Sequence, residues 1–153
     1  EVTCGRGNLS FTSINLPRLG ILAKGDMDVF YKTLDKRLAL CCRQLLHRFE
    51  IQKKKTVKNY LFLMGQGIWI DSENLNINDQ VGEVLKNGTL SVGFIGLAET
   101  LVALTGKHHG ESEESRKLGL EIITHMRKYL DDKSEKTGLN HTCRRSVRKI
   151  CPH

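Results

Sequence analysis

Apolar and polar residues follow each other along the chain in patterns typical first of a strand and then of a helix. Residues 9–16 are apolar at alternate positions, with a break in phase between Phe11 and Ile14, and predict a short buried strand that Pro17 ends. Asp26 is a predicted helix N-cap. Beyond it, apolar residues recur in steps of three and four along one face of a long helix: Met27, Phe30, Leu34, Leu38, Cys41, Leu45 and Phe49.

The rest of the chain continues this alternation. Residues 79–86 predict a short helix, residues 89–97 a buried strand and residues 98–104 a helix that ends at a glycine. Ser112 is the predicted cap of a second long helix, with a strand beginning at Leu139. The apolar face of this second long helix holds Leu118, Ile122, Met126 and Leu130. This order predicts an α/β fold with parallel strands, without a visible internal repeat and with too few strands to close a sheet.

Composition narrows the class of protein. Hydrophobic residues make up 39% of the chain, charged residues 27%, and there are two prolines, as in a folded globular protein. No run of about 18 apolar residues is present, and the first residues do not resemble a signal peptide. We therefore predict a cytoplasmic protein without a membrane partner.

The net charge of +7 raises the possibility of nucleic-acid binding. Four of the 24 basic residues lie in the last ten positions: Arg144, Arg145, Arg148 and Lys149. Without them, 20 basic residues face 17 acidic ones, a net charge of +3. The body of the chain is only mildly basic, so we predict no nucleic-acid partner.

The residues that could carry chemistry form weak patterns. The five cysteines, Cys4, Cys41, Cys42, Cys143 and Cys151, contain no Cys-x-x-Cys pair, and neither a disulfide framework nor a zinc site is indicated. His108, His109 and Glu111 are close in a predicted loop without the spacing by which two ligands share a helix face. A role in stabilising the loop or starting the helix is favoured. His141 and His153 beside the tail cysteines match no zinc spacing.

Two glycine-rich stretches lack a complete nucleotide motif. Residues 5–8 read Gly-Arg-Gly-Asn and residues 93–96 read Gly-Phe-Ile-Gly, and neither completes a phosphate loop or a dinucleotide fingerprint. By themselves, residues 5–8 indicate an ordinary turn, and the glycines of residues 93–96 indicate close packing.

Longer stretches are more specific. Residues 5–19 read Gly-Arg-Gly-Asn-Leu-Ser-Phe-Thr-Ser-Ile-Asn-Leu-Pro-Arg-Leu, residues 63–67 read Leu-Met-Gly-Gln-Gly, and residues 88–99 read Gly-Thr-Leu-Ser-Val-Gly-Phe-Ile-Gly-Leu-Ala-Glu. Residues 104–112 add Leu-Thr-Gly-Lys-His-His-Gly-Glu-Ser. From about Gly5 to Asn140 the chain resembles the catalytic subunit of anaerobic (class III) ribonucleotide reductases. The resemblance implies that residues 1–140 are an internal section of a ten-stranded α/β barrel of the glycyl-radical type.

The resemblance also implies a function. The family reduces ribonucleoside triphosphates to 2′-deoxyribonucleoside triphosphates for DNA synthesis: a glycyl radical generates a thiyl radical on a finger-loop cysteine, which abstracts the ribose 3′ hydrogen. It implies formate as reductant, ATP and dATP as effectors, a C-terminal zinc, a radical-SAM iron–sulfur activase and a homodimer. We expect the fragment to bind none of these cofactors alone and to be inactive.

Few functional residues transfer to this sequence. The Gly-Arg-Gly-Asn match implies that Asn8 lies near the ribose hydroxyls of the substrate, where an amide can both donate and accept. Lys107, His108, His109 and Glu111 belong to a family signature without an assigned role. The finger-loop cysteine is expected roughly twenty residues before Asn8, so Cys4 lies too close to Asn8, and no catalytic residue is assigned.

The resemblance ends at the last residues, 141–153. The family would continue with an apolar strand and a Thr-Pro-Ala-Glu-like segment for the substrate phosphates, whereas this tail is basic. We interpret it as a divergent tail produced by a frameshift or truncation. Two alternatives remain: a small basic nucleic-acid-binding or interaction module that uses this tail, and a metal-binding protein that uses His108, His109 and the tail cysteines.

Overall fold

The computed structural model describes residues 7–145, with the backbone alone at residue 145. The strands are β1 (Asn8–Asn15), β2 (Thr89–Ile95) and β3 (Asn140–Arg145). The helices are α1 (Leu16–Ala23), α2 (Met27–Gln52), α3 (Gly82–Leu85), α4 (Leu97–Thr105) and α5 (Glu113–Thr137), with 3-10 turns at Val57–Tyr60 and Ser72–Asn74. None of the helices in this range is long and apolar enough to cross a membrane.

The three strands form one parallel sheet in the order β1-β2-β3, which confirms the predicted α/β architecture. Two units follow each other in the chain, each a strand, a short helix and a long helix: β1-α1-α2 and β2-α4-α5. Crossovers of this kind are what parallel pairing requires. The first five residues of the predicted tail, 141–145, continue β3, while residues 146–153 lie outside the described range.

Side chains fix the helix boundaries that the sequence predicts. Asp26 Oδ1 accepts a hydrogen bond from the Val29 N–H at 3.0 Å, and Ser112 Oγ accepts one from the Ser115 N–H at 3.4 Å. Both bonds satisfy a backbone donor in the first turn of a long helix. Gly138 ends α5 in the left-handed region at φ +66°.

One helix is absent from the prediction. Pro17 does not merely follow a strand but lies in the first turn of α1, where its missing N–H costs no hydrogen bond. Asn15 caps this helix, because its side-chain oxygen accepts from the Arg18 N–H at 3.2 Å. The strand therefore ends at Asn15 and the chain turns at once into α1.

The buried side of α2 carries the core of the first unit. Its buried residues are Phe30, Leu34, Leu38, Cys42, Leu45 and Phe49. Cys42 rather than the predicted Cys41 is buried, because the step from Leu38 to Leu45 passes through position 42 on this face. In α5 the predicted Ile122, Met126 and Leu130 are buried, and Leu118 is half-buried.

Two glycines let chain segments approach closely, as the sequence predicts. Gly96 has φ +71°, and a Cβ there would overlap the ring of Pro17. At Gly93, a Cβ would lie 2.5 Å from Cζ of Phe11, whose ring occupies this space. Their role is packing between the two units, not part of a dinucleotide fingerprint.

The end strands of the sheet are partly capped by their own long helices. Arg48 Nη1 and Gln52 Nε2 of α2 donate to the carbonyls of Phe11 and Leu9 in β1, at 3.0 and 3.3 Å. In β3, the backbone N–H of His141 donates to Ser134 Oγ of α5 at 2.9 Å. These side chains satisfy backbone groups that face away from β2.

Candidate substrate-binding face

The sheet has one face against the helices and one open face. Side chains alternate along a strand, and partners in adjacent parallel strands point to the same face. Ser10 lies on the helix face, because its hydroxyl accepts from Arg48 Nη1 at 3.3 Å. The open face is formed by Asn8, Phe11 and Ser13 of β1, Thr89, Ser91 and Gly93 of β2, and Asn140, Thr142 and Arg144 of β3.

Asn8 reaches the open face because β1 is irregular at its start. Phe11 pairs with Ser91 and Ser10 with Leu90, but Asn8 pairs with Thr89, so Leu9 is an extra residue. Regular alternation would turn Asn8 toward the helices, and one inserted residue reverses its side. The bulge therefore directs the candidate amide to the open face.

Neighbouring polar groups hold the Asn8 amide. In the orientation that satisfies both sides, Nδ2 donates to Ser91 Oγ at 2.7 Å and to the Thr89 carbonyl at 2.8 Å. The Thr89 N–H in turn donates to the Gly7 carbonyl at 2.9 Å, which ties together the starts of β1 and β2. Asn8 is exposed whereas Ser91 is fully buried. The buried Ser91 hydroxyl therefore holds an amide that a ligand can reach.

The open face suits binding better than proton transfer. Most of its side chains are small and neutral, and Arg144 is the one ionisable group among the nine. An amide can donate and accept hydrogen bonds but does not act as a general acid or base near neutral pH. The arrangement can therefore orient a ligand that carries hydroxyl groups.

A cleft of about 920 Å³ runs along the other side of β1, between this strand and α2. Four basic side chains line it, together with strand residues: Arg18, Arg37, Arg43 and His47. Its positive charge suits an anionic group.

The signature residues Lys107, His108, His109 and Glu111 lie apart from Asn8, in the loop between α4 and α5. Thr105 Oγ1 anchors this loop, accepting from the Lys107 N–H at 3.3 Å and lying 3.0 Å from Ser115 Oγ. The Lys107 side chain is exposed. The hydrogen bonds of the segment are local, so the fold does not bring it to the open face.

His108 organises this loop. Its Nδ1 accepts from the Gly110 N–H at 3.0 Å, which leaves the proton of the neutral ring on Nε2, 3.6 Å from Glu111 Oε1. Glu111 Oε2 also accepts from the His108 N–H at 2.9 Å. A Cβ on Gly110 would lie 3.0 Å from the His108 ring, so glycine permits the approach. These contacts hold the loop between α4 and α5 in its conformation.

Comparisons with known proteins decide the family. The sequence model of the family described as anaerobic ribonucleoside-triphosphate reductase matches residues 1–146. This chain belongs to that family. The reductases of Escherichia coli and Salmonella typhimurium are each 39% identical to it over 144 residues, and that of enterobacteria phage T4 is 32% identical over 147 residues.

The alignments cover 90% of this chain but only 20% of the two bacterial reductases and 22% of the phage one. The chain thus spans about a fifth of the relatives that it matches. The Thermotoga maritima anaerobic reductase with citrate in its active site gives a TM-score of 0.74 at 16% identity, over 98% of this chain and 26% of its own. A second anaerobic reductase structure gives 0.70. These likenesses confirm the fold, a section of the reductase barrel.

The three cysteine thiols in the described residues of this reductase section are not poised for reaction. Burial raises the pKa of the Cys42 thiol to about 11 and also raises the pKa of Cys41 and of Cys143. Protonated thiols are weak nucleophiles and weak metal ligands. Cys4 and Cys151 lie outside the described residues.

A metal site has no support from the described part of the section. Within residues 7–145, no three His, Cys, Asp or Glu side chains gather where they could hold a metal ion. The rings of His108 and His109 meet edge to face, with centroids 5.9 Å apart. His153, which belongs to the tail cluster, lies outside the described residues.

Sequence reasoning missed Ser91 as the partner of Asn8. A serine within a predicted buried strand is a weak hint, because a buried hydroxyl requires a partner. The partner is 83 positions away in the chain, and only the pairing of β1 with β2 identifies it.

Proposed function

We propose that this chain is the section of an anaerobic ribonucleotide reductase that presents Asn8 to the ribose hydroxyls of a ribonucleoside triphosphate. The observation that supports the proposal is the Asn8 amide, held by Ser91 and Thr89 on an open face whose side chains are mostly small and polar. In the complete enzyme this face would line the inside of the barrel.

The orientation of the amide suits a ribose diol. Because Nδ2 is directed to Ser91 Oγ and the Thr89 carbonyl, Oδ1 occupies the opposite edge of the planar amide group. There it can accept a hydrogen bond from a 2′ or 3′ hydroxyl. Asn8 would therefore orient the sugar for reaction. Its hydrogen bond to the hydroxyl would hold the reacting carbon in the geometry that the reaction needs.

The remaining parts of the reaction belong to the complete enzyme. We propose that it uses a glycyl radical, a thiyl radical and formate as reductant, responds to ATP and dATP, and carries a C-terminal zinc. Its proposed partners are a radical-SAM activase and a second copy, and its proposed location is the cytoplasm. Within this chain, residues 1–140 would belong to the barrel and residues 141–153 to a divergent tail, of which residues 141–145 continue β3.

A segment exchange tests the proposal. In the Escherichia coli reductase, the stretch that aligns with this chain is replaced by residues 1–146, and anaerobic formation of deoxyribonucleotide is measured. We expect the exchanged enzyme to retain activity. Asn8→Ala should lower kcat/KM by about tenfold or more, since a hydrogen bond to the reacting sugar is lost.

Asn74→Ala is the matched control, because this exposed asparagine lies in a 3-10 turn and not in a strand of the sheet. It should leave kcat/KM within about twofold. Equal effects of the two substitutions, or a folded exchanged enzyme without activity, would refute the proposal.

A further inference from the structure

Ser91 is a polar residue where packing alone would favour an apolar one. It lies in the central strand, fully buried, between the buried residues Leu90 and Val92. A buried hydroxyl without a partner costs free energy, so such a serine requires a bonding role. Its short bond to Asn8 supplies that role.

The bond uses the donor side of Asn8. Nδ2 lies 2.7 Å from Ser91 Oγ, 2.8 Å from the Thr89 carbonyl and 3.2 Å from the Ser10 carbonyl, so both of its hydrogens have acceptors. If the amide turned over, its oxygen would face the Thr89 carbonyl, and two acceptors would repel each other. The Thr89 carbonyl, which can only accept, therefore selects one of the two amide orientations, and Ser91 Oγ accepts from Nδ2 and holds the amide in that orientation.

The bulge at Leu9 makes this contact possible. It shifts Asn8 into register with Thr89, one residue before Leu90, and so turns the amide toward Ser91 on the same face. Leu9 itself packs against the core and lies over Gly88, where a Cβ would be 2.5 Å from Leu9 Cγ. The irregular start of β1 is thus anchored on one side by packing and on the other by Ser91.

We propose that Ser91 is a positioning residue of the reductase, which fixes the Asn8 amide so that its oxygen faces the ribose hydroxyls. This inference rests on the proposed contact of Asn8 with substrate. Ser91 does not itself touch the sugar but acts through Asn8.

The first test uses the full 153-residue chain. Nuclear magnetic resonance measures the exchange of the Asn8 Nδ2 hydrogens with solvent, and the backbone amides of β2 report that the strand is folded. Ser91→Ala should speed exchange of one of the two hydrogens by about fivefold or more, as expected for the loss of one hydrogen bond. Ser91→Cys keeps the volume with a much weaker acceptor and should act in the same direction.

Ser10→Ala is the matched control, because it removes a hydroxyl from β1 on the helix face, where Ser10 meets Arg48. The substitution keeps the Ser10 backbone carbonyl, 3.2 Å from Asn8 Nδ2, and should leave exchange at Asn8 unchanged. If both Ser91 variants keep β2 protected and leave the Asn8 hydrogens as slow as before, the proposal is wrong.

The second test separates this proposal from the function of the section. In the exchanged Escherichia coli enzyme, Ser91→Ala should lower kcat/KM by about fivefold, and combined with Asn8→Ala it should add nothing further. Additive effects would show that Ser91 acts independently of Asn8 and would overturn the proposal. Loss of activity with the unaltered segment would count against the proposed function, while the exchange rates at Asn8 would still decide the role of Ser91.

Discussion

The imidazole of His125 lies with Nε2 2.6 Å from Oδ1 of Asp35, so one side-chain bond joins the long helices of the two units. The Tyr31 ring lies beside it, with its centroid 4.9 Å from that of His125. Both partners of the bond are partly exposed, so its contribution is that of a solvent-screened pair.

We expect His125→Ala and Asp35→Ala each to destabilise the chain, with a coupling free energy of about 0.5–1 kcal/mol in a double-mutant cycle. Urea denaturation followed by circular dichroism measures it. The control is the pair Arg127 and Asp131 within α5, which is more exposed and 3.8 Å apart. Its coupling should be close to zero, and a coupling as large as that between α2 and α5 would contradict the expectation.

The two glycines at the ends of α4 should respond differently to alanine. Both have positive φ, +71° at Gly96 and +81° at Gly106, so both substitutions strain the backbone. Only at Gly96 does the new methyl group meet another segment, the ring of Pro17, because nothing lies within 4 Å of a Cβ at Gly106. Gly96→Ala should therefore lower the free energy of unfolding by about 1–3 kcal/mol more than Gly106→Ala.

Adding Pro17→Ala to Gly96→Ala tests the cause of this excess. The double variant should recover part of the lost stability relative to Gly96→Ala, although Pro17→Ala alone loosens the start of α1. No recovery would show that backbone strain at Gly96, rather than overlap with Pro17, limits stability.

His141 should make stability fall in weak acid. Burial lowers the pKa of its imidazole from the ordinary value of 6.5, and the charge of Lys133 lowers it further, against an opposing bond to the Leu139 carbonyl. Well above pH 6.5 the ring is neutral in both the folded and the unfolded chain. As the pH falls below this value the unfolded chain takes up the proton more readily, so the folded state loses stability.

His141→Gln removes this titration. The free energy of unfolding is measured for both chains between pH 7.5 and pH 5, and the wild type should lose more of it than the variant. Parallel curves would show that protonation of His141 is not coupled to folding.

Cys42 should be protected from alkylation until the chain unfolds. With a pKa of about 11 against an ordinary value of 9.0, its thiolate population at pH 8 is about a hundredfold lower than in an exposed thiol. Peptide mapping after iodoacetamide treatment measures the rate. A Cys41→Ser background distinguishes Cys42 from its neighbour, and equal rates with and without urea would contradict the prediction.

The long helices could be predicted from the sequence, whereas the start of the sheet could not. A helix with a polar and an apolar side shows its period, and Asp26 and Ser112 mark where the two begin. In β1 both faces carry polar groups, because Ser10 and Thr12 bond to α2 while Ser13 lies on the open face. The break in alternation was accordingly predicted between Phe11 and Ile14, but the structure has it at Leu9.

The helix α1 was not predicted, because close packing against α4 requires a residue that disfavours helices. It contains Gly20, a weak helix former, because a Cβ there would lie 3.2 Å from the Thr100 carbonyl of α4. The orientation of Asn8 depends on Ser91, a residue of another strand, and no local pattern reports it. The resemblance to the family identified the segment that contains Asn8, but the contacts that orient Asn8 form only when β1 pairs with β2.

The capped edges of the sheet bear on how such a section avoids harmful self-association. An unpaired strand invites other chains to add to it and is a common origin of aggregation. In β1, Arg48 and Gln52 already occupy two carbonyls, and in β3 Ser134 occupies the N–H of His141. Each bond comes from a side chain and can be exchanged for a backbone bond. In a reductase that is still folding, these side chains could therefore occupy the edge groups of β1 and β3 until the neighbouring strands of the same chain pair with them.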